Sequence, residues 1–203
     1  MAKTQKQLQS ERTQGEIIEA AARFFVRKGF YGTSIADLAQ ATGLTKGALY
    51  HHFENKDALF FAVIKRVRDV WSEAVVCNVL EAQDALTRLT TLLDNHARLI
   101  DENDTLCLVL NGLMLEMDGV NPAFMTALEE IYAELVLFIE RIIKKGQKTG
   151  QIRSDLDARL MALNIAGMLK GSGCSRPMFE RLDVDYATVM ETMKQLLLDG
   201  LRP

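Results

Sequence analysis

The segment from Ser34 to Phe53, SIADLAQATGLTKGALYHHF, concentrates side chains that donate hydrogen bonds to anions and to heterocyclic edges. Lys46 carries a point charge able to reach guanine O6 or N7, and Ala48 offers a methyl for thymine. Gly47 beside it lets backbone approach closely. Tyr50, His51 and Lys56 supply a phenol, an imidazole and an ammonium suited to phosphate oxygens. Together these types describe a surface for double-stranded DNA, with base contacts at Lys46, Gly47 and Ala48 and backbone contacts around them.

Such a surface works only if short helices hold it rigid. Ala39 is small where a first helix must let a second cross. Gly43, four residues on, suits a left-handed turn, and Leu49, six further, plugs the joint. Ser34 and Asp37 have capping-box spacing, and Thr45 can cap the second helix. Ile35, Leu38, Leu44, Leu49 and Phe53 then face inward, leaving the donors outside. The pattern predicts a helix-turn-helix at 34–53.

On these residues the chain resembles the TetR family of bacterial transcriptional regulators from about Arg12 to Trp71. The stretches IIEAAARFFVRKGFYGTSIADLA and GLTKGALYHHFENKDALF carry the likeness without gaps. The resemblance implies that Ser34, Thr45, Tyr50, His51, His52 and Lys56 hold phosphates, while Lys46 and Gly47 meet bases. It also implies a homodimer that represses by occupying its site. Two recognition helices must meet successive major grooves about 34 to 36 Å apart, so the operator should be a near-palindrome.

Charge is divided along the chain in the same sense. Overall the 203 residues carry a formal −3, but residues 1–66 hold ten Lys and Arg against six Asp and Glu, and residues 67–203 hold fourteen against twenty-one. A basic head attracts phosphates by counterion release, and an acidic body resists non-specific clinging. Nearly half the residues are apolar, enough for a substantial core. No apolar run of membrane-spanning length and no signal-like opening is seen, so a cytoplasmic protein without a membrane partner is expected. Cys77, Cys107 and Cys174 are odd in number and widely spaced, which favours reduced thiols.

The expected fold class is all-α, with a three-helix DNA-binding head, a helical ligand-binding and dimerisation body, and about nine helices in total. Residues 1–11 read as a flexible polar arm, 12–72 as the head and 73–203 as the body. The first helix is expected over 14–28, and a long fourth helix from the Asn55 cap to about Val79. Five more follow at about 85–103, 105–117, 122–149, 155–171 and 184–201, with a break at 171–177.

In the body, TLCLVLNGLMLEM at 105–117 is apolar nearly all round and is expected to lie inside. Asn111 and Glu116 then need partners or a ligand. His96, Cys107, Asn111, Met114, Glu116, Phe124, Tyr132 and Leu135 are candidates to line a site for a small, mostly apolar inducer. Leu160, Leu163 and Gly167, with Tyr186, Val189, Met193 and Leu197, have the spacing of a four-helix dimer interface. Ligand binding would move the fourth helix and separate the heads from the grooves.

Other functions find less footing. No Gly-rich phosphate loop, GxSxG or HExxH occurs, so no enzyme and no cofactor are expected. Ligands for a metal number only two, His96 and Cys107, which is too few. Cys107 as a thiol sensor on the same scaffold is one alternative, and a helical module binding protein in place of DNA is another.

Overall fold

The computed structural model describes residues 4–103 and 105–203, with the side chains of Leu106 and Cys107 outside that description. Among the described residues it is all-helical. The α-helices are α1 (Gln5–Lys28), α2 (Ile35–Thr42), α3 (Lys46–His52), α4 (Lys56–Trp71), α5 (Ala85–Glu102), α6 (Thr105–Met117), α7 (Pro122–Lys148), α8 (Ala158–Arg181) and α9 (Tyr186–Leu201). The chain forms two compact units, Met1–Val67 with Leu108–Leu128, and Arg68–Cys107 with Glu129–Pro203.

The first unit differs from the expected head at both ends. Its polar start is helical from Gln5, because the Thr4 side chain accepts from the Gln7 amide and Gln7 answers at the Thr4 backbone. Only the later turns of α1 bury a face, through Ile17, Ala20, Ala21 and Phe25. The unit also recruits most of α6 and the start of α7, 86 residues away from the loop they brace. Phe60 stacks on Phe124 with ring centroids 4.0 Å apart, and Phe30 meets both edge-on. Such aromatic packing adds to the area each ring buries. Asn55 caps α4 as expected, its Oδ1 accepting from the Ala58 amide at 2.7 Å.

In the second unit, α4 stops as an α-helix at Trp71 and continues as a π-helical turn, Ser72–Val76, where a helix to Val79 was expected. Asn95 on α5 stabilises this turn: its buried amide donates to the Val75 carbonyl at 3.0 Å and to Asn78 Oδ1 at 2.8 Å. Leu89, Leu92 and Leu93 of α5 pack with Ile139, Ile142 and Ile143 of α7 and Ile165 and Leu169 of α8 in one hydrocarbon core. Helix α8 runs unbroken through 171–177, where a break was expected, and carries Pro177 inside it. The residue whose carbonyl the proline ring crowds, four positions back, is the buried Gly173, whose missing side chain gives that backbone room to adjust.

Candidate nucleic-acid interface

The recognition elements are built by short-range hydrogen bonds. Ser34 Oγ accepts from the Asp37 amide at 3.1 Å, and Asp37 Oδ2 accepts from the Ser34 amide at 3.0 Å, closing the expected capping box. The Ser34 hydroxyl also donates to Asp37 at 2.7 Å, followed by Lys28 Nζ at 3.1 Å to the other oxygen. These bonds, the Ser34 side chain first, its backbone next and Lys28 third, hold the Asp37 carboxyl down at about 2. Gly43 ends α2 at φ 68°, ψ 17°, the left-handed conformation a side chain disfavours. Leu44 then donates its amide to Ala39 at 3.0 Å and the chain enters α3.

Helix α3 opens on Thr45, whose Oγ1 accepts from the Ala48 amide at 3.1 Å. Leu49 is buried, while Lys46, Gly47, Tyr50 and His51 are exposed along one side. Ala48 and His52 are half-buried at its margin. A Cβ on Gly47 would meet only Thr45 Oγ1, at 3.9 Å, so packing within the chain does not require glycine there. The rings of His51 and His52 meet edge-on at 5.6 Å. Seven of the nine DNA-facing candidates therefore lie on α3 or cap it.

Ser34 and Lys56 also make bonds within the chain. The single Ser34 hydroxyl proton goes to Asp37, so it serves as a cap and has none left to donate to a phosphate. Thr45, which only accepts in its cap, keeps its proton. Lys56 is half-buried, its Nζ donating to the Phe30 carbonyl at 2.9 Å and the Thr33 carbonyl at 3.0 Å, 4.3 Å above the Phe30 ring. It braces the α1–α2 loop with two of its three N–H groups.

The inducer candidates divide between the units. Glu116 and Phe124 belong to the first, where Glu116 accepts from the Phe30 and Tyr31 amides and Phe124 stacks on Phe60. Both therefore make their contacts within the first unit. No sequence spacing could have linked them to a loop so remote. Helix α6 is less enclosed than its composition implies: Val109, Leu113 and Met117 are buried every fourth residue, Asn111 and Met114 are half-buried, and Leu115 is 85 % exposed. In the second unit, Tyr132 and Leu135 pack on the hydrocarbon core. Cys107 lies among the side chains outside the description, and Cys77 and Cys174 are exposed.

His96 is buried, with Nε2 3.1 Å from the Leu169 carbonyl. A carbonyl only accepts, so Nε2 carries the proton and donates, and Nδ1 has no hydrogen-bond partner among the described residues. Burial holds its pKa down at about 4, against the smaller opposing effect of the Leu169 bond.

Of the dimer candidates, Tyr186 is 5 % exposed and packs with Ile100 and Met190 in the chain's own core, so it is removed from the outer face. Met193 and Leu197 also lean on that core, and Val189 is half-buried. Leu160, Leu163 and Gly167 remain exposed, joined by Leu196 at 70 %. Among the described residues no group of three or more His, Cys, Asp or Glu could hold a metal, and no helix is long and apolar enough to cross a membrane.

A capped α2, a left-handed glycine turn and an α3 that presents its polar side define a helix-turn-helix DNA-binding domain. The model for bacterial regulatory proteins of the tetR family matches residues 17–63, and that for the tetracyclin repressor-like C-terminal domain matches residues 85–193. The chain belongs to the TetR family and is a DNA-binding transcriptional regulator, not an enzyme. It is 22 % identical to the fatty acid metabolism regulator protein of Bacillus subtilis (strain 168) over 92 % of this chain and 94 % of that one. It is 27 % identical to the transcriptional repressor DhaR of Mycobacterium sp. (strain GP1), over 72 % and 73 %. Among solved structures, FadR from Bacillus subtilis in complex with stearoyl-CoA superposes with TM-score 0.77 at 22 % identity, covering 92 % of this chain and 98 % of that one. AibR in complex with isovaleryl coenzyme A and operator DNA gives 0.75 at 22 %, covering 93 % and 99 %.

Proposed function

We propose that this regulator is a homodimeric repressor in the cytoplasm that binds a palindromic operator and leaves it when a small, largely apolar inducer occupies the body. The observation that carries the reading is the exposed side of α3, where Lys46, Gly47, Tyr50 and His51 lie outside a buried Leu49. Lys46 and Gly47 meet bases, with Ala48 at the edge of that contact. Thr45, Tyr50, His51 and His52 hold phosphates. The exposed apolar residues Leu160, Leu163 and Leu196 support pairing with a second copy through α8 and α9. Two proteins of the same fold, crystallised with stearoyl-CoA and isovaleryl coenzyme A, support an apolar acyl group as the part of the inducer that the body encloses.

Selection of the purified protein on a pool of random duplexes tests the reading. An inverted repeat should emerge, sedimentation should give a dimer, and affinity should fall steeply between about 50 and 200 mM salt. A monomer, or a pool without enrichment, refutes it.

A further inference from the structure

The loop at 29–33, which delivers the chain into α2, is gripped from two sides by residues far away in sequence. Glu116, one residue from the end of α6, places Oε2 2.7 Å from the Phe30 amide and Oε1 2.8 Å from the Tyr31 amide. Two consecutive N–H groups converging on one carboxylate form an anion seat, and a charged acceptor strengthens both bonds. Gly29 is required there twice over: its φ is +73°, and a Cβ on it would stand 2.8 Å from both Glu116 oxygens. On the other side Lys56 holds the Phe30 and Thr33 carbonyls, and Thr33 Oγ1 donates to the Gly29 carbonyl at 2.7 Å. Ser34, the next residue, is the cap of α2. The loop therefore sets where α2 starts, and α2 carries α3.

We propose that Glu116 is a positioning residue for DNA reading: with its carboxylate seated on the Phe30 and Tyr31 amides, the loop holds the helix-turn-helix in its DNA-reading position, and unseating it releases that position. Two hydrogen bonds have a short reach, so a shift of α6 by about 1 Å, from 2.8 Å to beyond 3.5 Å, is enough to break them. The positioning role rests on the DNA-binding part of the reading above.

The test compares Glu116→Ala, Glu116→Gln and Leu113→Ala, the last removing a buried side chain of the same helix that has no part in the seat. Hydrogen exchange reports the Phe30 and Tyr31 amides, thermal melting reports stability, and anisotropy reports affinity for the selected duplex. Glu116→Ala should speed exchange at both amides and weaken DNA binding about 10- to 100-fold, the loss of two charge-assisted bonds. Glu116→Gln, which keeps one amide oxygen as acceptor, should fall between. Leu113→Ala should lower the melting midpoint yet bind within about threefold of wild type when assayed well below that midpoint. Unchanged DNA affinity in Glu116→Ala overturns the proposal, as does an equal loss in Leu113→Ala. If wild type itself selects no duplex, the regulator reading falls first and takes this one with it.

Discussion

Glu116 and His96 are both polar side chains held against main chain, and the structure treats them in opposite ways. At Glu116 two amides converge on one carboxylate, so each oxygen is matched. At His96 a single carbonyl meets one nitrogen, the other nitrogen has no hydrogen-bond partner among the described residues, and burial drives the ring to its neutral form. The first unit joins an aromatic core to polar groups that reach across its loops. The second keeps its shape mainly through hydrocarbon, and its buried Asn95 amide ties down the irregular turn after α4. Main-chain donors converge on the first group, whereas burial with a single matched nitrogen favours the neutral form of the second.

The strongest challenge to this contrast is mechanical. Phe60→Ala removes the ring that stacks on Phe124 and meets Phe30, and should cost about 3–5 kcal/mol in denaturant unfolding. A cost below about 1 kcal/mol would mean that polar contacts alone hold the first unit.

Acid should next expose the second unit. His96 has a folded pKa of about 4 against 6.5 when free. Its folded value is depressed, so between these two the unfolded chain binds more protons and stability falls as pH drops from about 6.5 toward 4. That displacement corresponds to about 3 kcal/mol. His96→Gln keeps a donor for Leu169 and should flatten this part of the pH–stability curve. An unchanged slope would place the acid sensitivity elsewhere.

Substitution at the DNA face sharpens the contrast between reading and bracing. Lys46→Ala should relax base preference at one operator position by about 1–3 kcal/mol, measured against single-base variants of the selected duplex. Lys56→Ala should weaken all duplexes alike and also lower the melting midpoint, because its ammonium ties down two loop carbonyls. A loss of affinity without any loss of stability would return Lys56 to a purely phosphate-facing role. The smallest effect is expected at a cap: Asn55→Ala should destabilise by about 1 kcal/mol, read from a shift in the denaturant midpoint.

Much of the head was legible because its determinants are local. Ser34 with Asp37, Thr45 with Ala48 and Asn55 with Ala58 each act over three residues, and Gly43 acts on its own φ. The same logic was available at Thr4 and Gln7 but was obscured by the polar composition of the following turns, which bury nothing. The break expected at 171–177 failed because Gly and Pro signal breaks only on average, and here a buried glycine gives a proline its room. Tyr186 looked like an interface residue because a helical stripe shows that a face is apolar without saying which neighbour covers it.

Sequence alone determined the helix-turn-helix, the donors on its outer side and the division of charge, since spacing within one or two turns sets which residues share a face. Tertiary structure decided that Glu116 and Phe124 serve the head, that Lys56 braces a loop and that His96 is neutral. Those outcomes depend on chain segments 23 to 86 residues apart meeting within hydrogen-bond distance or packing ring on ring. Local pattern carries no information about which distant main-chain group a side chain will find, and burial with satisfied polar groups chooses among the possibilities only once the chain has folded.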